Sequence, residues 1–331
     1  MQKVAFAILG AGSLGSILGA HLARAGHSVV MLARGRRALQ VEQLGLRIRG
    51  RVDISQTVPV LTEPSRLPAV GVLIVATKTY GTEAALAPLR GAAIDCAFSI
   101  QNGLMKNDLL GDAFGRERVL GALANISGEM LPSGEVLFTR NANLYVGELD
   151  GGESQRARQV AHTIDAAGVR CTAVTDIQSL EWSKFAAWVA MMVLSVTTRA
   201  VTWKYAVDPE SALVLARLVR EMGVLASARH IQLSDDAVLP VASICQGGEQ
   251  AAVQAIQRVG RELKSGAPEH RMSTLQDLQA GRPLEIEETL HYAVRLAQQC
   301  RLSVPLLEAF YALLAAVDRL REQRSSAPSP E

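Results

Sequence analysis

The first fifteen residues contain the feature that most constrains the fold. The apolar run Val4 to Leu9 has the length of a buried strand, and Gly10-Ala11-Gly12-Ser13-Leu14-Gly15 follows it at once. The next residues, through Ala25, place apolar side chains at helical spacing. A strand, a turn of the form Gly-x-Gly-x-x-Gly and a helix are typical of the start of a dinucleotide-binding βαβ unit. A glycine turn with a purely structural role is the alternative.

Each glycine of this turn has a separate expected task. Gly10 permits the tight turn, Gly12 lets the backbone approach a pyrophosphate, and Gly15 lets the helix pack closely on the strand. The helix N-terminus adds free N–H groups that favour a phosphate. The residues predicted to bind the cofactor here are Gly10, Ala11, Gly12, Ser13, Leu14 and Gly15.

The end of the second predicted strand, Ser28 to Leu32, indicates which dinucleotide binds. A site specific for NAD usually has Asp or Glu at this edge, where it accepts hydrogen bonds from the ribose. This sequence has Arg34 there, with Arg36 and Arg37 close behind. Guanidinium groups suit a 2′-phosphate, so we predict NADP(H) as the cofactor. For at least one of the three arginines, we expect instead a solvated position at the start of the next helix.

Composition and charge exclude several other classes of protein. The 331 residues carry a net charge of +2 and are 49% hydrophobic, which gives no electrostatic reason to expect a nucleic acid or an anionic membrane as partner. We see no charged leader and no apolar segment long enough to span a bilayer, so we expect a soluble, cytoplasmic protein. The cysteines are scattered without metal-ligand spacing, so we expect buried free thiols and no metal: Cys96, Cys171, Cys245 and Cys300.

Two further strands end in polar residues. Val72 to Ala76 is followed by Lys78, and Ile94 to Ile100 is followed by Gln101-Asn102-Gly103. Ligands of a doubly wound sheet lie outside the carboxyl ends of its strands, so Lys78 is expected to contact the cofactor and Asn102 to present its amide to the same crevice. A surface lysine and an ordinary Asn-Gly turn are the alternatives.

The remaining pattern predicts two domains. Strands over 119–126, 135–139 and 143–147 are expected to extend the sheet, followed by a helix over 153–167 and a short strand over 169–174. Helices are then predicted over 176–199, 209–230, 235–263, 275–279, 285–300 and 305–321. The predicted α/β fold is an N-terminal Rossmann-type dinucleotide-binding domain (1–174), an all-helical substrate domain (175–321) with the substrate in the cleft between them, and a flexible tail (322–331).

Taken together, several short motifs resemble the ketopantoate reductase (2-dehydropantoate 2-reductase) family nearly end to end. They are Gly10 to Gly15, Ala33-Arg34-Gly35, Lys78, Gln101-Asn102-Gly103, Glu181-Trp182-Ser183-Lys184-Phe185, Met272 to Leu278, and Gly281-Arg282-Pro283-Leu284-Glu285-Ile286. The resemblance implies reduction of the ketone of a branched 2-oxo acid by NADPH to the (R)-alcohol, a step of pantothenate biosynthesis.

The resemblance also implies roles for individual residues. Lys184 would be the general acid, and Glu285 would favour its charged form and orient the substrate. Ser273 would bind the substrate carboxylate, and Asn102 would hydrogen-bond the substrate and position the nicotinamide. From the residues alone, Lys184 reads as a surface lysine, Ser273 as a helix N-cap, and Glu285 as a first-turn helix residue.

The chain departs from the family pattern on the helix of Lys184. The family usually has asparagines four and eight residues after the lysine, where this chain has Trp188 and Met192. It also has Leu284 in place of a threonine and Leu290-His291 in place of Asn-Gly. If Trp188 and Met192 contact substrate, the pocket is more apolar and suits a different 2-oxo acid or a related carbonyl or imine. Interdomain packing is the alternative for Trp188.

A third reading is a regulatory protein that binds NADP without turnover. Retention of Lys184 and Glu285 argues against it, since a binding module needs neither. A homodimer is expected only from the general frequency of such assemblies.

Overall fold

The computed structural model describes residues 3–325 and divides the chain into two compact units, Met1–Gln178 and Ser179–Glu331. The division falls near the start of one long helix, Ile177–Thr198. None of the helices within the described residues is long and apolar enough to cross a membrane.

A five-stranded parallel sheet forms the centre of the first unit. Its strands are β1 (Val4–Leu9), β2 (Val29–Leu32), β5 (Val60–Leu61), β6 (Val70–Val75) and β7 (Ile94–Ser99). Their order is β5-β2-β1-β6-β7, so the order changes direction between β1 and β6. The longer strands are mostly apolar because both faces of the sheet are buried, with the exposed Asp95 of β7 as an exception. This sheet confirms the predicted doubly wound dinucleotide-binding fold.

Helices connect these strands and cover the sheet. They are α1 (Ser13–Arg24), α2 (Gly35–Leu44), α3 (Thr82–Leu86) and α4 (Met105–Phe114). The most buried of them is α1, whose Ile17, Leu18 and Leu22 have no exposed surface and join one core with Ile8 and Phe98. The carboxyl end of β1 and the N-terminus of α1 are thereby fixed relative to each other.

The prediction that later strands extend the parallel sheet is wrong, because they form a second sheet. It contains β3 (Leu46–Gly50), β4 (Ile54–Gln56), β8 (Leu120–Met130), β9 (Val136–Glu148) and β10 (Cys171–Ala173). The antiparallel pair β8 and β9 dominates it, and α5 (Gln155–Ala166) connects β9 to β10.

The turn predicted inside β9 is absent. The Asn141 side chain donates to Gly168 O, and the Asn143 side chain donates to Thr172 Oγ1. Both asparagines lie within a continuous strand of 13 residues, where Asn143 bonds the neighbouring strand β10 and Asn141 bonds the turn that precedes β10. The residue type alone does not distinguish an asparagine in a turn from an asparagine within a strand.

The second unit is helical, as predicted. Its helices are α6 (Ile177–Thr198), α7 (Thr202–Val207), α8 (Pro209–Ala228), α9 (Val241–Gln246), α10 (Glu249–Gly266), α11 (Ser273–Gln279), α12 (Leu290–Gln299) and α13 (Pro305–Ser325). The single helix predicted over 235–263 is two helices separated at Gly247-Gly248, and α7 was not predicted. Residues 322–325, predicted to belong to a flexible tail, are helical because α13 continues to Ser325, and residues 326–331 of the predicted tail lie outside the described part of the chain.

Candidate functional site

Two of the three turn glycines are required by packing within the protein. Gly10 has φ of +107°, and a Cβ there would lie 2.9 Å from Ala76 C. A Cβ on Gly15 would lie 2.1 Å from the carbonyl oxygen of Gly10. Both contacts are too short for any side chain, so these glycines let α1 begin directly beside the ends of β1 and β6.

Gly12 has no such internal reason to be glycine. Its φ is −68°, it is exposed, and the nearest described atom to a Cβ there is Ala76 O at 3.8 Å. It is the N-cap of α1, and no side chain caps the helix, so the first N–H groups of α1 have no side-chain acceptor. The space that a Cβ would occupy and the helix N-terminus together fit a pyrophosphate. Of the other turn residues, Ala11 is buried, whereas Ser13 and Leu14 are half-buried.

The structure separates the three arginines after β2. Arg34 is the exposed N-cap of α2, and Arg36 is also exposed. Arg37 instead donates from Nε to Ala11 O at 2.8 Å and from Nη2 to Ser16 Oγ at 3.0 Å. Burial lowers the pKa of its guanidinium. Arg37 is therefore less available to a 2′-phosphate than the exposed Arg34 and Arg36, because its guanidinium already donates to the protein.

Lys78 and Asn102 follow adjacent parallel strands, β6 and β7, as expected. Lys78 is exposed and Asn102 is half-buried. Gln101, which sequence reasoning gave no role, joins their two segments. Its Nε2 lies 3.0 Å from Lys78 O and 2.8 Å from Thr82 Oγ1, and its Oε1 accepts from Ser99 Oγ at 2.9 Å. The signal that could have identified it is its position between a buried strand and Asn102.

On α6, Lys184 is an exception in a buried stretch. Every other residue from Glu181 to Val196 is buried, whereas Lys184 is half-buried. Trp188 is 8% exposed and Met192 has no exposed surface. At 3.6 residues per turn, these three residues lie on one side of the helix, within about 80° of one another. Of this stripe, only the lysine has intermediate exposure.

The structural alternatives for Ser273 and Glu285 are both wrong. Ser273 is exposed and is the first residue of α11, whose N-cap is Met272 without a side-chain cap. Glu285 is 5% exposed and lies in the loop before α12, which begins only at Leu290. Thr289 Oγ1 donates to the backbone carbonyl of Glu285. Glu285 is therefore a buried residue of a loop, outside any helix terminus.

Residues that sequence reasoning missed fix the loop of Glu285. Arg282 Nε donates to the buried Asp277 carboxylate at 2.7 Å, and Leu284 N donates to Asp318 Oδ2 at 3.3 Å. Arg321 Nη2 donates to the Arg282 carbonyl at 2.6 Å. The loop is thereby bonded to α11 on one side and to α13 on the other.

Two protein-family models match most of the chain. The model described as ketopantoate reductase PanE/ApbA matches residues 6–151, and the model of its C-terminal part matches residues 176–318. The chain belongs to the ketopantoate reductase PanE/ApbA family. The resemblance inferred from the motifs is confirmed, and the protein is an oxidoreductase that acts on a CH–OH group.

Individual relatives agree with this membership. The 2-dehydropantoate 2-reductase of Archaeoglobus fulgidus is 29% identical over 280 residues, covering 85% of this chain and 86% of its own. A PanE/ApbA family ketopantoate reductase from Ralstonia eutropha superposes with a TM-score of 0.80 at 24% identity, covering 97% of this chain and all of its own. This structural likeness shows that the family fold is shared over nearly the whole chain.

A second structural neighbour is a complex with NADH. D-mandelate dehydrogenase in complex with NADH and anilino(oxo)acetate superposes with a TM-score of 0.82 at 16% identity, covering 97% of this chain and all of its own. At this identity the likeness concerns the fold alone. Ketopantoate reductases depend on a nicotinamide dinucleotide, and the glycine turn described above fits one.

Proposed function

We propose that this protein reduces the ketone of 2-dehydropantoate (ketopantoate) with NADPH, giving (R)-pantoate in pantothenate biosynthesis. The observation that carries the proposal is Lys184, the one half-buried side chain of a buried helical stretch. The names of the relatives support the substrate. Membership of an oxidoreductase family favours this enzyme over a non-catalytic NADP-binding protein.

Reduction of a ketone needs a hydride at carbon and a proton at oxygen. When bound, the reduced nicotinamide supplies the hydride to the carbonyl carbon. The Lys184 ammonium donates a hydrogen bond to the carbonyl oxygen and transfers its proton there as negative charge develops. Ser273 hydrogen-bonds the substrate carboxylate and Asn102 the substrate oxygens. Glu285 favours the charged form of Lys184 and orients the substrate.

The preference for NADPH over NADH rests on Arg34. Its exposed position at the end of β2 suits a bidentate contact with a 2′-phosphate. In Arg34→Ala we expect the dissociation constant of NADPH to rise at least about tenfold while that of NADH stays nearly unchanged. Isothermal titration with each nucleotide measures this. Equal losses for both nucleotides would contradict the assignment.

A second candidate substrate is favoured by Trp188 and Met192. Both occupy positions where the family has amides, and both are buried on the Lys184 side of α6. An apolar wall gives no preference for a substrate hydroxyl, whereas amides do. The second candidate is therefore a 2-oxo acid with an apolar or aromatic side chain.

Steady-state rates on a substrate panel distinguish the candidates. We would follow the absorbance of NADPH with ketopantoate, with 2-oxoisovalerate, which lacks its hydroxymethyl group, and with phenylglyoxylate. The proposal predicts the highest kcat/KM for ketopantoate. A higher kcat/KM for either other acid would favour the second candidate. Absence of turnover with all three would contradict both.

A further inference from the structure

Arg37 makes more hydrogen bonds to the first unit of the chain than a surface arginine usually makes. Besides Ala11 O and Ser16 Oγ, its Nη1 donates to Gln40 Oε1 at 2.8 Å and to Gly134 O at 2.9 Å. Gln40 also donates to Ser133 O at 2.9 Å. The guanidinium is therefore fixed between α1, α2 and the hairpin that joins β8 to β9.

The contact with Ala11 determines the direction of one peptide group in the glycine turn. Ala11 O accepts hydrogen bonds from Arg37 Nε and from Ser16 Oγ, the latter at 3.1 Å. The peptide bond between Ala11 and Gly12 is trans, so its N–H points away from its carbonyl. Holding the carbonyl towards Arg37 consequently directs the N–H of Gly12 to the opposite side.

Gly12 itself is exposed, and the nearest described atom to a Cβ there is Ala76 O at 3.8 Å, so the turn has open space at the residue that carries this N–H. A pyrophosphate at this turn would accept hydrogen bonds from backbone N–H groups directed at it. Without the two donors, the Ala11 carbonyl could rotate and the Gly12 N–H would lose its fixed direction. The two hydrogen bonds thus preorganise the turn.

We propose that Arg37 is a positioning residue for the cofactor, which fixes the Gly12 N–H towards the pyrophosphate and takes no part in recognising the 2′-phosphate. The proposal rests on the dinucleotide site of the proposed function. It assigns different tasks to Arg34 and Arg37, although only two residues separate them. The pyrophosphate is common to NADPH and NADH, so the contribution of Arg37 is the same for both nucleotides.

Nucleotide titrations of Arg37→Ala and Arg37→Lys test this directly. We expect the dissociation constants of NADPH and NADH to rise by the same factor, about tenfold or more, in Arg37→Ala. Arg37→Lys should recover part of the loss, because one ammonium can reach Ala11 O or Ser16 but lacks the planar fork. KM for NADPH should rise likewise, with kcat at saturating nucleotide little changed.

The controls separate positioning from the other roles. Arg47→Ala removes an exposed arginine of the same unit that donates from Nε to Leu44 O, and it should leave both dissociation constants unchanged. Circular dichroism establishes that each variant is folded before titration. If Arg37→Ala loses affinity for NADPH alone, Arg37 is a ligand of the 2′-phosphate. If its Tm falls while both dissociation constants stay unchanged, Arg37 has a purely structural role. Either result overturns the proposal.

These results are independent of the substrate. If the unsubstituted protein binds NADPH but reduces none of the 2-oxo acids, the proposed reaction fails while the titrations still decide the role of Arg37. If the unsubstituted protein binds neither nucleotide, the cofactor site itself is wrong.

Discussion

Gly12 and Gly15 belong to one motif but are glycine for different reasons. In Gly15→Ala the new Cβ would lie 2.1 Å from Gly10 O, so α1 must move. In Gly12→Ala the new Cβ meets only Ala76 O at 3.8 Å, so the protein tolerates it. The methyl group would instead occupy the space assigned to the pyrophosphate.

We therefore expect Gly12→Ala to fold but to bind nucleotide poorly. The free energy of unfolding should fall by about 1 kcal/mol or less, which is the cost of Ala at an N-cap. The dissociation constant of NADPH should rise at least about tenfold. Gly15→Ala is the matched comparison, and it should lose about 1–3 kcal/mol of stability through overpacking. Normal NADPH affinity in Gly12→Ala would contradict the site.

The sequence predicts the role of a residue when that role depends on its neighbours in the chain. It does not predict the role of a residue whose hydrogen-bond partners are distant in the sequence. Gly10 and Gly15 were assigned from the local pattern of strand, turn and helix, and the geometry agrees. The hydrogen bonds of Arg37 were not predicted, because its partner Gly134 lies 97 residues away in the sequence. Gln101 and Asp277 were missed for a similar reason, since a motif does not show which carbonyl or guanidinium an amide or carboxylate will meet.

At the scale of the element, α6 presents the residues that would distinguish substrates. Trp188 and Met192 are buried on the same helix face as Lys184, at the two positions where the family resemblance implies asparagines. Replacing them by Asn restores donors and acceptors able to bond a substrate hydroxyl. The double variant Trp188→Asn, Met192→Asn should therefore favour the hydroxylated acid.

We expect the ratio of kcat/KM for ketopantoate to that for 2-oxoisovalerate to rise about tenfold in this double variant, which corresponds to about 1.4 kcal/mol. Because the comparison is a ratio within one variant, a loss of folded enzyme cancels. Trp203→Asn is the control, since this tryptophan on α7 donates to Pro268 O and should leave the ratio unchanged. An unchanged ratio in the double variant would assign Trp188 and Met192 to packing.

Strands and helices were predicted correctly where a single hydrophobic periodicity runs through the segment. The parallel strands β1, β2, β6 and β7 and the long helices α6 and α8 follow from continuous apolar runs and helical spacing, whereas the two-residue strand β5 was not predicted. The break between α9 and α10 was missed because apolar spacing continues across Gly247-Gly248. Membership of a second sheet could not be predicted, since the apolar pattern of β8 and β9 does not specify which strands they pair with.

At the scale of the whole molecule, a buried histidine links folding to pH. His21 is 1% exposed, its Nδ1 bonds Ala167 O at 2.9 Å, and its Nε2 is buried with no hydrogen-bond partner among the described residues. Burial lowers the pKa of His21 from its ordinary 6.5, with a further lowering from Arg24 and an opposing effect of the Ala167 bond. The folded protein therefore disfavours protonation of this imidazole.

The sign of the effect follows from linkage. The unfolded chain binds this proton more readily, so the contribution of His21 to stability is complete above pH 6.5 and is lost as pH falls through 6.5 towards the lower folded pKa. Unfolding temperatures should decline more gently with acid in His21→Gln than in the unsubstituted protein. His162→Gln, which changes an exposed histidine of α5, should show no such difference. Parallel pH profiles for all three proteins would contradict the assignment.

The central claim is that Lys184 supplies the proton during reduction of a 2-oxo acid. It is tested by measuring kcat for Lys184→Gln at saturating NADPH and saturating ketopantoate, or with whichever acid of the panel the unsubstituted protein reduces best. The NADPH dissociation constant is measured on the same sample. Lys204→Gln, which changes an exposed lysine, is the control. We expect kcat to fall about 10²–10⁴-fold in Lys184→Gln, with the NADPH affinity of that variant and the kcat of Lys204→Gln unchanged. A Lys184→Gln enzyme whose kcat stays within about threefold of the original would contradict it.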